Sequence, residues 1–178
     1  MKTFVAALGV VALAIAPLVS TAATPRATAS AEKQLWAFSE RLALALPGDG
    51  RDILKIASAS FDSVATQAGL EHRAASREIA PSLFASNVVV VTTPDNHTNS
   101  ASFDVTGSCV SMAALRNRYP NLIVMDYARG DNEHATYTFG AQVGDAIVAY
   151  SFPAKKLNCM SRVAVTPAKV TKSKLGIQ

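Results

Sequence analysis

Residues 135–152 read Ala-Thr-Tyr-Thr-Phe-Gly-Ala-Gln-Val-Gly-Asp-Ala-Ile-Val-Ala-Tyr-Ser-Phe, and this stretch decides the fold class. Ala135, Tyr137 and Phe139 alternate with Thr136 and Thr138, the period of a half-buried strand. Gly144-Asp145 supplies a tight turn, and 146–152 is a second β-rich run. Two such runs joined by two turn residues make an antiparallel hairpin. The neighbouring segments 122–127 and 159–165 lie too close for helical crossovers, so they add strands antiparallel to it.

Upstream of this sheet, Pro120 ends a short helix over 111–119, with Met112 and Leu115 inward and Arg116 and Arg118 toward solvent. Before that helix, Phe103 and Val105 alternate with polar neighbours, and 88–92 is a β-branched run. Residues 93–100, Thr-Pro-Asp-Asn-His-Thr-Asn-Ser, read as a polar turn or loop. The chain N-terminal to Pro81 changes period. Leu35, Phe38, Leu42 and Leu46 recur at helical spacing after a capping Ser30, and Pro47-Gly48-Asp49-Gly50 breaks the helix. Ile53, Ile56, Ala57, Phe61, Val64 and Ala68 fit the face of a second helix from Asp52, with Gly69 as its C-terminal cap. Residues 72–79 add a short polar helix. The expectation is an α+β fold: an N-terminal helical hairpin packed on a mainly antiparallel sheet of four to six strands, with one inserted helix.

The beginning of the chain reads as an address. Lys2 precedes an apolar run over 4–19, and Ser20-Thr21-Ala22-Ala23 offers small residues for a signal peptidase after Ala22 or Ala23. The run holds 16 residues, short of the ~20 that span a bilayer. The expected organisation is a signal peptide over 1–22, a flexible leader over 23–30, one domain over 31–166 (helical part 31–81, sheet part 82–166) and a basic flexible tail over 167–178. The mature chain is therefore expected in a periplasm or outside the cell, with no transmembrane segment.

The formal net charge is +4, but between Ala31 and Thr166 there are 12 basic and 13 acidic residues. The excess sits at the ends: Lys2, Arg26, Lys169, Lys172 and Lys174. Nucleic-acid binding needs cations gathered on one structured surface, so that class is excluded. Ala supplies 32 of the 178 residues, which makes the 49% hydrophobic content an overstatement of the bulky side chains available to a core.

In an oxidising compartment the pair Cys109 and Cys159 is expected to form a disulfide. Closing that loop is worth about 4 kcal/mol of chain entropy. The competing use of Cys109 is as a nucleophile at a helix start, where the thiolate is favoured. His134 would be its base and Asp131 or Glu133 the orienting acid. That alternative is a cysteine-dependent hydrolase of cell-wall or peptide substrates.

Other chemistry finds less support. His72, His97 and His134 each have an acid close in sequence, but none shows metal-ligand spacing, so no metal or cofactor is expected. Ser108 lacks the second Gly of a nucleophile elbow. Arg129-Gly130-Asp131 reads as a turn, Asn96-His97-Thr98 fits an N-glycosylation acceptor, and Trp36 reads as core. The leading expectation is a non-enzymatic exported protein that binds another envelope or extracellular protein. Residues 93–100 and 128–133 are the first places to look for its surface.

Overall fold

The computed structural model describes residues 24–58, 60–67, 69–129 and 135–177. The expected signal peptide lies outside them.

Helix α1 (Ala29–Ala45) is the internal axis. Thr28, not Ser30, is its N-cap, its side chain accepting from the Ala31 amide at 3.2 Å, which satisfies one of the orphan donors of the first turn. The predicted stripe is the buried one: Leu35, Phe38, Leu42 and Leu46, with Trp36 and Ala43 beside it. The leader is tied down as well. Cys109 donates to Pro25 O and accepts from the Ala27 amide, both at 2.8 Å.

Pro47-Gly48-Asp49-Gly50 turns the chain into α2 (Gly50–Ala57). Asp49 caps it, accepting from the Arg51 amide at 2.9 Å. The Arg51 guanidinium, and then that amide, hold the Asp49 carboxyl down at about 2. A Cβ on Gly50 would sit 2.8 Å from Asn96 O, so the turn requires glycine on steric grounds.

The expected second helix is much shorter than its apolar pattern. It stops at Ala57, and the chain enters β1 (Asp62–Thr66), whose five residues are all exposed. The stretch expected as a polar helix is β2 (Gly69–Ala80). No helical hairpin over 31–81 results. Periodicity misled here because β2 presents His72, Ala74, Arg77 and Ile79 instead of an apolar alternation, and pairing to β3 overrides local preference. Gly69 is no helix cap: its φ is +128°, and a Cβ there would meet Thr92 O at 2.1 Å.

The remaining elements follow the predicted order: β3 (Leu83–Thr92), β4 (Thr98–Gly107), α3 (Met112–Arg118), β5 (Ile123–Asp126), β6 (Thr136–Val143), β7 (Ala146–Pro153) and β8 (Arg162–Pro167). Ser111 caps α3, accepting from the Ala114 amide at 3.1 Å. The expected basic tail contains a further helix, α4 (Ala168–Leu175), closed by Gly176 in the left-handed region.

The described strands form one eight-stranded antiparallel sheet, larger than the four to six strands expected, in the order β1-β2-β3-β4-β8-β7-β6-β5. Two four-stranded meanders thus meet at a single seam, β4 against β8, with Ala101 opposite Val165 and Phe103 opposite Val163. Helix α1 packs on the inner face, touching β2 on one meander and β6, β7 and β8 on the other. Its Phe38 ring meets Phe103 edge-on at 5.3 Å, and the Arg77 guanidinium lies 5.3 Å over the same Phe38. Arg77 also donates to Ile56 O, tying α2 to β2. On the outer face, α4 packs against β7 and β8. Thr171 bonds Thr166 at 2.7 Å, and Ile147, the register partner of Thr166, is buried.

The core therefore runs through both meanders and the helix between them. Among the described residues, no helix is long and apolar enough to cross a membrane.

Candidate functional site

Cys109 and Cys159 are bonded to each other, with S–S 2.03 Å. Cys109 follows β4 and precedes α3. Cys159 lies in the turn before β8, not on the strand itself. The bridge thus closes one end of the β4–β8 seam. A sulfur held in a disulfide is not a thiolate, so nucleophilic use of Cys109 would first require reduction. His134, Asp131 and Glu133 lie outside the described residues.

The other two histidines are far apart in their roles. His72 is buried between two hydroxyls, with Ser63 Oγ 2.8 Å from Nδ1 and Thr92 Oγ1 3.1 Å from Nε2. This ties the exposed strand β1 to the interior. His97 is exposed, 3.5 Å from the Asp95 carboxylate. Among the described residues no cluster of three or more His, Cys, Asp or Glu side chains could hold a metal ion.

Three concavities among the described residues bear on binding. The first is a groove of about 500 Å³ between α1 and α3, lined by Glu32, Lys33, Trp36, Glu40, Asn117 and Arg118. A polar chain runs inward from its floor. Glu40 Oε1 accepts from Arg118 Nη2 at 2.6 Å and from the Tyr119 hydroxyl at 2.7 Å. The Tyr150 hydroxyl donates to that of Tyr119 at 3.2 Å and lies 3.2 Å from Ser39 Oγ. Trp36 stands edge-on to both phenol rings, at 6.0 and 5.5 Å. Burial pushes the Tyr150 phenol up to about 12, and the Glu40 charge adds to the rise against the lowering by Ser39 and Tyr119. Burial first, then Tyr150 and Glu40, raise the Tyr119 phenol. Two phenols held protonated at neutral pH are poor bases. The chain locks α3 to α1, and Trp36 is core, as the sequence reading had it.

The second is a cleft of about 390 Å³ at the opposite end of the sheet, where Leu46, Pro47, Pro167 and Ala168 meet His97, Thr98, Asp145 and Lys169. The loop expected as a binding surface does reach it through His97 and Thr98. Among the described residues, the buried Thr98 hydroxyl has no hydrogen-bond partner.

The third feature is at the β5 edge. Met112 and Arg116, one turn apart on α3, face Tyr137 and Phe139 of β6, and Tyr127 and Leu157 close the sides of a cleft of about 390 Å³. Tyr127 and Leu157 are 63% and 44% exposed. Val124 of β5, the register partner of Phe139, is 41% exposed. Scattered exposed apolar residues need no explanation, but a gathered patch does. Of the second expected surface, Ala128 is half-buried and Arg129 exposed beside this corner, and 130–133 lie outside the described residues.

Sequence reasoning did not find this third site. Tyr137 and Phe139 were placed on one strand face, yet nothing local says that α3 covers that face incompletely. The only signal was Leu157, an apolar residue directly after Lys155 and Lys156. No known protein family, curated protein or solved structure matches the chain.

Proposed function

We propose that this is an exported, non-enzymatic binding protein that engages another envelope or extracellular protein through the cleft at the β5 edge. The observation that carries the reading is the opening to solvent there of Tyr127 and Leu157, two large side chains lining one concavity, with exposed Val124 on the neighbouring strand beside Phe139. Aromatic and aliphatic anchors in a concave site are the usual centre of a protein interface. Export is supported by the signal-peptide layout of residues 1–22, and the Cys109–Cys159 bridge is compatible with an oxidising compartment.

The test is a photo-crosslinking side chain placed at position 127 of the full chain, expressed in cells that export it. The expected result is an adduct with one exported protein, absent when the crosslinker is at Thr106 on the outer face. The purified partner should bind the wild-type chain and lose affinity at least about tenfold for Tyr127→Ser with Leu157→Ser, the loss expected of anchor residues. Equal adducts at both positions, or affinity unchanged by the double variant, would overturn the reading.

A further inference from the structure

We infer that the partner is held as an added β-strand: an extended segment, acidic and apolar in composition, that pairs with the free edge of β5. The inference rests on the binding reading above and specifies its chemistry. Three independent observations converge on it. First, β5 is the terminal strand of the sheet, and among the described residues it pairs only with β6. Among the described residues, the backbone donors and acceptors of its outer edge are left without a strand partner. Such an edge is a template for strand addition, in which the main chain supplies affinity and alternate side chains supply specificity.

Second, although β5 carries a bulge between Val124 and Asp126, the side chains beside that edge divide between the two faces of the sheet. Val124 faces the same side as Phe139, toward the apolar cleft. Met125 faces the other way, where a Cβ on Gly140 would meet its Sδ at 2.7 Å. A strand laid against β5 would place every second side chain on the cleft side, among Tyr127, Tyr137, Phe139, Leu157 and Met112.

Third, the rim is cationic. Arg116 lines the cleft itself, and Lys155 and Lys156 stand exposed in the 3-10 turn immediately before Leu157. None of the three has an ion-pair partner among the described residues. Asp126, the described acid next to Tyr127, faces the opposite side of the sheet, opposite Thr138, and Asp145, the described acid nearest in sequence to the two lysines, lines a different cleft with Leu46 and Pro167. A strand with one apolar residue in the cleft and a carboxylate two positions along would meet Arg116. The same charges argue against a second copy of this chain, because a two-fold edge-to-edge contact would bring the Arg116 and the Lys155-Lys156 turn of one copy toward those of the other.

The probe is a fluorescently labelled peptide that alternates threonine with phenylalanine and glutamate. Its controls are the lysine-for-glutamate peptide and an N-methylated form in each of the two alternating registers. Binding is read by polarisation on the purified, oxidised full chain. The acidic peptide should bind at least about tenfold more tightly than the lysine peptide. Arg116→Glu, an exposed change whose fold is checked by its melting curve, should reverse that preference. N-methylation in one register should abolish binding, because it removes the main-chain donors. No binding by the acidic peptide, equal binding after N-methylation in both registers, an unchanged preference in Arg116→Glu, or a dimer in sedimentation would each overturn strand addition. A crosslink at position 127 together with any of those results would leave the binding reading standing and remove only this one.

Discussion

The disulfide gives the most direct test of the architecture. It joins positions 50 apart in sequence, and it does so at the end of the one seam, β4–β8, that connects the two meanders. In the chain-entropy treatment, a closed loop of that length removes about 14 cal/mol/K from the unfolded ensemble, or about 4 kcal/mol at 25 °C. The seam itself is not strained by losing the bridge, since Phe103, Val163, Ala101 and Val165 still pack across it. Replacing both residues, Cys109→Ala with Cys159→Ala, should therefore leave the fold intact and lower its stability by up to about 4 kcal/mol. With an unfolding slope in urea of about 2 kcal/mol/M for a chain of this size, the midpoint should fall by up to about 2 M, and the slope should rise as the unfolded chain, freed of its crosslink, exposes more surface. Wild type treated with a reductant should follow the same curve. A midpoint shift below about 0.5 M in both experiments would refute the loop-closure argument. It would mean that the unfolded chain is already held compact, or that the seam carries the connection without the bridge.

Three further outcomes follow from the packing. The Tyr150 phenol titrates near 12 when folded and near 10 when free. Because the folded value is the higher one, its contribution of about 3 kcal/mol is present below pH 10 and lost as pH rises through 12; denaturation midpoints across that range should fall steeply for wild type and less for Tyr150→Phe, and parallel curves would be the adverse result. Gly107 has φ +88°, and a Cβ there would lie 2.2 Å from Ser82 O, so Gly107→Ala should cost about 2–3 kcal/mol and lower Tm by roughly 4–12 °C; an unchanged melting curve would count against the turn geometry. Leu35 is fully buried at the centre of the α1 face, and Leu35→Ala should cost about 2–5 kcal/mol in chemical denaturation, whereas a loss under about 1 kcal/mol would mean that α1 is not the core axis.

The elements that were legible in advance share one property: their signal is local. Leu35, Phe38, Leu42 and Leu46 repeat at the helical period and are buried together. Pro47-Gly48-Asp49-Gly50 can only turn. Residues 135–152 carry alternation, a turn pair and alternation again, and they form β6 and β7 in register from Val143–Ala146 to Thr136–Pro153. The pairing of Cys109 with Cys159 was also expected from their number and the compartment. In each case except the disulfide, which follows from there being two cysteines to pair, a few adjacent residues have one low-energy arrangement, and the rest of the chain is compatible with it.

What tertiary structure alone decided is everything whose partner is distant. The residues from Phe61 to Ala80 have apolar positions compatible with a helix, but the unpaired edge of β3 captures them as β2 and then β1. The Lys-rich end becomes α4 because β7 and β8 leave Ile147 to be covered. The β5 cleft lies where Met112 and Arg116 of α3 come beside Tyr137 and Phe139 of β6 and leave Tyr127 and Leu157 open to solvent. Local periodicity reports which face of a segment is apolar. It does not report what arrives to cover that face, because the covering energy belongs to pairs of segments that are remote in sequence, and at the β5 edge the uncovered remainder is the candidate site.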